Sequence, residues 1–313
     1  MAKNNYMLGA DPEMFVRDIN TKQIVPICGK VGGTKGIPTP YVSHAATAAK
    51  MQWYNKSWNN EFKYLEDNVA FEFNVPPAAA AELFNETINV ALVGAGLILK
   101  DAGLAPVYDR SSIRFAASAL EHPGAQTIGC DPDIHAYGKD YEPQARPPFS
   151  IQDLGLWRHC GGHLHFSYDK EKIPDHVFVQ LVDVLVYYPI VFKDLQRARR
   201  KFYGLAGLYR SKNYGIEYRS MSNFWLRNPA AVAYPAITLL QDVRHQINEL
   251  NNFYSSIPNK LLDTVRNDID KGVTQRSVVL EIRELAERCR LKSTEYIPVH
   301  SERTYKVKEE AVA

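Results

Sequence analysis

Five short segments of this 313-residue chain place polar side chains at alternate positions. The pairs are Asp11/Glu13, Glu72/Asn74, Asp131/Asp133, His163/His165 and Glu217/Arg219. Because successive side chains of a β-strand point to opposite faces, each pair is expected to share one face of a strand. The residues between the paired positions are mostly apolar, so the other face of each strand is expected to pack on a core. The pattern predicts a sheet with one polar face.

The chemistry of that polar face allows two interpretations. A charged solvent face explains any single pair, but solvent faces usually mix lysine, threonine and serine with glutamate, whereas these positions carry mainly carboxylates and imidazoles. Several carboxylates on one face repel each other unless a cation neutralises them. Oxygen-rich sites with an occasional imidazole favour Mg²⁺ or Mn²⁺, and a zinc half-site at His163 and His165 is the weaker alternative. Metal ions beside Arg219 would suit phosphate chemistry.

The elements that must position these residues can be read from hydrophobic periodicity and end signals. Strands are expected near residues 7–17, 23–28, 68–75, 128–137, 162–168 and 214–220. Helices are expected over 79–102, 175–202, 228–250 and 275–291, with Gly103, Gly204 and Asn228-Pro229 as boundary signals. Residues 103–128 and 138–155 read as long loops. Strands mixed with long helices indicate an α+β fold in which helices cover the apolar face of an antiparallel sheet.

Composition limits the classes of partner. The chain is 45% hydrophobic and 23% charged, with a net charge of +2, which gives no reason to expect nucleic acid or an anionic membrane as partner. The apolar stretch over 177–192 is interrupted by Asp183 and Pro189 and is expected to be a buried helix rather than a membrane span. Four scattered cysteines and a polar N-terminus predict a cytoplasmic protein with reduced thiols.

Four motifs in this order resemble those of glutamine synthetases. They are Gly9-Ala10-Asp11-Pro12-Glu13, the stretch from Glu66 to Phe73, Gly162-His163-Leu164-His165, and Glu217-Tyr218-Arg219 followed by Asn228-Pro229. Over most of its length the chain more closely resembles the phage-encoded COOH–NH₂ ligase type 2 family. That resemblance adds Gly32-Gly33-Thr34-Lys35, Asn74-Val75-Pro76-Pro77, Gly129-Cys130-Asp131-Pro132-Asp133 and Ser222-Asn223-Phe224-Trp225-Leu226.

The resemblance implies a curved antiparallel sheet of the glutamine synthetase catalytic type. It also implies an ATP-dependent enzyme with two or three Mg²⁺ or Mn²⁺ ions that joins a carboxylate to an amine through an acyl phosphate. Its substrates would be small molecules or peptides, and a phage-encoded enzyme would act in the host cytoplasm. A guanidino-kinase-like phosphotransferase of the same fold and a non-catalytic nucleotide- or metal-binding protein remain the alternatives.

Residue by residue, the resemblance implies a set of metal ligands and two contacts to the transferred phosphate, and further groups are expected from their positions near these motifs. The expected metal ligands are Asp11, Glu13, Glu66, Glu72, His163 and Glu217, with Asp67 as the alternative to Glu66. The groups expected in catalysis are Arg219 and His165 at the transferred phosphate, Lys35 in a glycine-rich turn, and Asp67 or Asp133 as the base for the amine. The groups expected to bind the nucleotide are Arg200, Arg210, Lys212, Ser167 and Asn74. Asp131 and Asp133 could bind the amine or a metal, or only form a turn.

We expect one ligase domain over residues 1–255, a helical extension over 256–300 that packs on it, and a flexible tail over 301–313. The oligomeric state and the identity of the two substrates cannot be read from the sequence.

Overall fold

The computed structural model describes residues 6–33, 62–128, 133–147 and 150–298, and the backbone of residues 39–40. Within these residues the chain forms thirteen strands and seven α-helices. The strands are β1 Met7–Asp18, β2 Ile24–Val25, β3 Thr39–Pro40, β4 Lys63–Asp67, β5 Ala70–Ala78, β6 Leu104–Val107, β7 Ser112–Arg114, β8 Ile134–His135, β9 Gln144–Ala145, β10 Trp157–His159, β11 Gly162–Ser167, β12 Leu208–Lys212 and β13 Gly215–Tyr218. The helices are α1 Ala81–Asp101, α2 Ile151–Leu154, α3 Asp175–Val182, α4 Ala230–His245, α5 Ile247–Ser256, α6 Asn259–Lys271 and α7 Arg276–Arg288.

Eleven of the strands form one sheet, and every strand pair in it is antiparallel. Its order is β3-β4-β5-β1-β11-β13-β12-β8-β9, and β2 and β6 also pair with β1. Strands β7 and β10 form a separate two-stranded ribbon. The prediction of an α+β fold with a large antiparallel sheet is confirmed.

The apolar face of this sheet is the floor of the main core. The buried side chains there include Leu8, Phe71, Phe73, Leu164, Phe166, Ile216 and Tyr218. These positions alternate with the polar pairs of the sequence, as the two-residue period of a strand requires. Helices α1, α3 and α4 pack on this side, so the opposite face of the sheet is left for the polar residues.

Helix α1 shows how the sequence produces this packing. Its buried positions Phe84, Ile88, Ala91 and Ala95 recur at spacings of three and four residues, which places them on one stripe of the helix. The phenol of Tyr64 in β4 reaches this stripe and donates a hydrogen bond to the carbonyl oxygen of Ala91. The helix ends at Asp101, two residues before Gly103, which has a φ of +73°.

The single helix predicted over residues 175–202 is wrong in its second half. After α3 the chain continues as a π-helical turn over Asp183–Tyr187 and a 3₁₀ segment over Tyr188–Lys193, and a further 3₁₀ turn covers Arg197–Lys201. Pro189 lacks the N–H that an α-helix needs, and its ring would clash with a carbonyl of the preceding turn. The wider π turn just before Pro189 accommodates that conflict.

Other element boundaries also differ from expectation. The helix predicted over 228–250 is interrupted at Gln246, between α4 and α5. The strand predicted over 128–137 is reduced to β8 among the described residues, and the loop predicted over 103–128 contains β6 and β7. Helix α7 agrees with the prediction over 275–291.

Two helical stretches, Ala81–Asp101 and Asp175–Lys193, are long and apolar enough to cross a membrane by composition alone. The most apolar window of the first is 50% buried inside the protein and that of the second is 72% buried. Burial of this kind is typical of core helices, as predicted for residues 177–192.

Candidate active site

Three neighbouring strands bring together a first group of potential metal ligands. Asp11 on β1 lies opposite His163 on β11, and β11 in turn pairs with β13, which carries Glu217. His163 Nδ1 lies 3.6 Å from Asp11 Oδ1 and 3.9 Å from Glu217 Oε1. One ligand atom from each of the three residues falls within 4.8 Å of the others. Such a set of two carboxylates and an imidazole could hold a metal ion, and metal binding by these residues stays a prediction.

A second group lies next to the first on the same face of the sheet. Glu13 on β1 pairs with Glu72 on β5, and Asp67 at the end of β4 completes the group. All three carboxylates are buried, and their ligand atoms also lie within 4.8 Å of one another. Three buried carboxylates so close together repel each other strongly, and a bound cation would remove that repulsion. A carboxylate set of this kind suits Mg²⁺ or Mn²⁺.

Glu66 does not belong to either group, so its prediction as a metal ligand is not supported by its position. It lies opposite Phe71 in the β4–β5 register, on the apolar face, whereas Asp67 lies opposite Ala70 and shares the face of Glu72. The Glu66 carboxylate accepts hydrogen bonds from the backbone N–H groups of Gly29, Val31 and Gly32, at 2.7, 2.6 and 2.8 Å. Glu66 therefore anchors the loop that follows Cys28, and Asp67 is the residue that the fold places beside Glu13 and Glu72.

Cationic side chains surround Glu217. Lys212 Nζ lies 2.8 Å from Glu217 Oε2, Arg210 lies 3.5 Å from Oε1, and Arg219 donates a hydrogen bond to Oε1. Burial opposes the ionisation of Glu217, but the nearby positive charges, of which Arg219 has the largest effect, lower its pKa to about 2. Arg219 is itself buried, and its Nε lies 2.7 Å from Asp133 Oδ1. Arg210 and Lys212 are more exposed than Arg219, so they are better placed to meet an incoming phosphate.

His165 is held at both ring nitrogens. Its Nε2 lies 2.9 Å from Asp11 Oδ1, and its Nδ1 lies 2.5 Å from the hydroxyl of Tyr214. Burial would lower the pKa of His165, but the charge of Asp11 prevails and raises it. Burial opposes the ionisation of Asp11 as well, but His165 and His163 hold the pKa of Asp11 well below its usual range. Tyr214 was not predicted from sequence, where a lone tyrosine beside a turn carries no signal.

The remaining predicted residues are only partly gathered at this face. Asn74 Nδ2 donates a hydrogen bond to Glu72 Oε1 at 3.1 Å, and Ser167 lies two residues beyond His165 on β11. Arg200, by contrast, is buried against Asp194 and the hydroxyl of Tyr187, where it stabilises the core. Its prediction as a nucleotide-binding residue is therefore not supported by its position. Lys35 and Asp131 lie outside the described residues.

Asp133 was considered as a binder of the amine or of a metal, and as a base. Its carboxylate is buried and lies against Arg219 Nε at 2.7 Å and Arg210 Nε at 4.0 Å. In this position it fixes the two arginines rather than facing the ligand groups.

A short 3₁₀ turn over Asn223–Arg227 fixes the backbone beneath the ligands. Asn223 donates a hydrogen bond to the carbonyl oxygen of Glu13 at 2.7 Å, and Trp225 Nε1 donates one to the carbonyl oxygen of Gly162 at 3.1 Å. A Cβ atom on Gly162 would lie 2.2 Å from the carbonyl oxygen of Ser222, and one on Gly161 would lie 2.1 Å from His163 Nε2. The two glycines are therefore needed for close approach. The roles of Asn223 and Trp225 were missed from sequence, although both belong to a motif that was noted.

Three comparisons with known proteins gave different results. Residues 157–262 match the family described as Phage phiEco32-like COOH.NH2 ligase-type 2. A search of curated proteins found no match. A solved structure described as "GmaS/ADP complex-Conformation 1" matches over 93% of this chain and 70% of that chain, at 10% sequence identity and a TM-score of 0.36.

The matched residues include His163, Glu217 and Arg219. The match agrees with the resemblance seen in the sequence. Residues 157–262, from β10 to the start of α6, are similar to the phage phiEco32-like COOH.NH2 ligase-type 2 family.

Proposed function

We propose that this protein is an ATP- and Mg²⁺-dependent ligase that forms an amide through an acyl-phosphate intermediate. The observation that carries the proposal is the pair of ligand groups on one sheet face, Asp11/His163/Glu217 and Glu13/Asp67/Glu72. They lie beside the cationic side chains of Arg210 and Lys212. Catalysis of phosphoryl transfer depends mainly on positioned charges, because they stabilise the charge on the transferred phosphoryl group in the transition state.

The two groups would each hold a metal ion, and Mn²⁺ could substitute for Mg²⁺. Bound metal ions supply charge neutralisation for the phosphate oxygens of ATP. When Glu217 holds a metal ion, Lys212 and Arg210 can pair with phosphate oxygens instead of with this carboxylate. Asp133 keeps Arg219 in place under the site, and Tyr214 and Asp11 fix the orientation of His165.

The reaction balances in two steps. A carboxylate oxygen of the first substrate attacks the γ-phosphorus of ATP, and ADP leaves. The nitrogen of the amine then attacks the acyl carbon, the bond between that carbon and the phosphate oxygen breaks, and the proton lost by the nitrogen leaves with the released phosphate. The cytoplasmic location, the division into domains, and the roles of Asn74 and Ser167 as nucleotide contacts remain predictions.

Hydroxylamine trapping tests the acyl phosphate directly. The protein is incubated with Mg·ATP, hydroxylamine and a panel of mono- and dicarboxylates, and hydroxamates are detected as their iron complexes. We expect a hydroxamate with at least one acid, formed with release of ADP, and none with the Glu72→Gln variant. Release of ADP that depends on the carboxylate but yields a phosphorylated product in place of a hydroxamate would show a phosphotransferase and contradict the proposal.

A further inference from the structure

A pocket opens beside the second ligand group, between the sheet and the β7–β10 ribbon. Its sheet side includes Glu13, Asp67 and His163. Its other side includes His159 and Tyr203, neither of which has a role in the proposed phosphoryl transfer. A substrate that fills this pocket would touch both sides at once.

His159 is held firmly but only at one ring nitrogen. It lies opposite Ser112 in the β7–β10 register, and its Nδ1 lies 2.9 Å from the hydroxyl oxygen of Ser112. The rings of Phe202 and Tyr203 flank the imidazole, with centroids at 5.5 and 5.7 Å. Nε2 is buried, and no described residue forms a hydrogen bond with it. Buried polar atoms are nearly always bonded, so an imidazole in this state on a pocket wall is suited to bind a ligand.

Two buried arginines make this part of the pocket electropositive. Arg158 donates to the carbonyl oxygens of Ala125, Gly155 and Trp157, and Arg199 donates to those of Ser220 and Arg219. Carbonyl oxygens satisfy these hydrogen bonds but carry no net charge, so they do not cancel the positive charge of Arg158. The carboxylates of Asp194 and Glu13 offset part of the charge of Arg199. Both arginines line the same pocket as His159. On the His159 side of the pocket their charge favours an anion and disfavours an ammonium group, whereas Glu13 and Asp67 lie on the opposite side.

The same surroundings keep the imidazole neutral. Burial, followed by the charges of Arg199 and Arg158, lowers the pKa of His159 to about 3. A neutral imidazole carries one N–H. When the Ser112 hydroxyl donates to Nδ1, that hydrogen lies on Nε2, which then acts as a donor.

We infer that His159 is a substrate-binding residue whose Nε2–H donates a hydrogen bond to a carboxylate oxygen of the acid substrate. The carboxylate lies on the His159 side of the pocket, away from the face that carries Glu13 and Asp67. Its assignment to the acid substrate of the ligase rests on the proposed function. The presence of a carboxylate site at His159 can be tested without it.

The test is a titration of the intact protein, labelled with ¹⁵N-histidine, by two-dimensional NMR of the imidazole nitrogens. The probes are acetate, benzoate and glutarate, with methylammonium chloride as the cationic comparison. The His159 resonance is assigned by its loss in His159→Gln, or by its displacement in Ser112→Ala if the first variant does not fold. We expect at least one carboxylate to shift the Nε2 resonance in a saturable manner, and methylammonium to leave it unmoved.

Binding measurements on the variants complete the test. His159→Gln should weaken binding of the responding carboxylate at least fivefold and leave Mg·ATP binding within twofold. His245→Gln, the same change at the exposed end of α4, should alter neither. The inference is overturned if no carboxylate shifts the His159 resonance, or if methylammonium shifts it equally. If carboxylates shift it but wild-type protein does not bind Mg·ATP, the proposed function fails while the carboxylate site stands.

Discussion

Replacing Glu66 by glutamine tests whether this side chain anchors a loop or binds a metal ion, because glutamate and glutamine have nearly the same size. The Glu66 side chain accepts three backbone N–H groups from residues 29–32, one at Oε2 and two at Oε1. In the variant, one oxygen becomes an NH₂ group that cannot accept a hydrogen bond. Either the N–H of Gly29 or those of Val31 and Gly32 then lose their acceptor, and the surviving bonds lose the assistance of the negative charge.

The magnitude follows from these losses. A hydrogen bond to a charged group contributes about 1.5–3 kcal/mol and a neutral one about 1 kcal/mol. Gly29 and Gly32 are exposed, so water can replace part of what is lost. We therefore expect Glu66→Gln to lower the free energy of unfolding by about 2 kcal/mol. Metal affinity should stay within twofold of wild type, because Glu66 faces away from Asp67 and Glu72.

Two assays are needed on the same preparations. Urea unfolding gives the change in stability, and calorimetric titration with Mn²⁺ gives the metal affinity. Asp67→Asn is the matched control, since it makes the same chemical change at the next residue. It should reduce Mn²⁺ affinity at least tenfold. A Glu66→Gln protein with wild-type stability and a loss of Mn²⁺ affinity equal to that of Asp67→Asn would refute the reasoning.

Two further substitutions test other parts of the account. Gly161→Ala places a Cβ atom 2.1 Å from His163 Nε2, which should displace that ring and weaken Mn²⁺ binding at least tenfold. Gly96→Ala is the control, because a Cβ atom there meets nothing within 4 Å, and it should leave Mn²⁺ affinity unchanged. Equal Mn²⁺ affinities in the two variants would contradict the packing around His163. Burial raises the pKa of Asp183 from 3.8 to about 7 despite a hydrogen bond from Tyr218, so the folded protein keeps this proton to a higher pH than the unfolded chain. The contribution of Asp183 to the free energy of unfolding is fully present below the pKa of the unfolded chain and is lost as the pH rises through 7. The total loss is about 4 kcal/mol. In urea unfolding between pH 5 and 8, Asp183→Asn should remove this slope, and an unchanged slope would show that the carboxyl does not titrate there.

The polar pairs were predictable because the strand period is strict. Once β1, β11 and β13 are recognised, alternation alone puts Asp11, Glu13, His163 and Glu217 on one face. Sequence could not show which strands are neighbours, since pairing depends on contacts between segments far apart in the chain. The structure supplies that order, and the order creates the two separate ligand groups.

The choice between Glu66 and Asp67 needed the turn between β4 and β5. The sequence left the two residues as alternatives, because the resemblance does not fix which of them lies beside Glu72. In the structure the chain reverses at Asn68 and Val69, with Asn68 at a φ of +56°, and Asp67 pairs with Ala70. The hairpin shifts the phase by one residue, so Asp67 joins Glu72. An asparagine in the left-handed region is the only local signal of that turn.

The surroundings of Arg200 and His159 could not be predicted, because they come from distant elements. The basic run over residues 197–201 gave no indication that Arg200 would be buried against Asp194. The role proposed for His159 depends on the β7–β10 ribbon and on the pocket that this ribbon borders.

The polar face of the sheet is tested most directly by calorimetric titration of the protein with ATP, in the presence and absence of Mg²⁺. We predict binding by wild-type protein only when Mg²⁺ is present, and at least a tenfold loss of affinity in Glu72→Gln, whose carboxylate lies in the second ligand group. Binding of ATP that is equally tight without metal, or unchanged in Glu72→Gln, would contradict the assignment of this face as the Mg·ATP site.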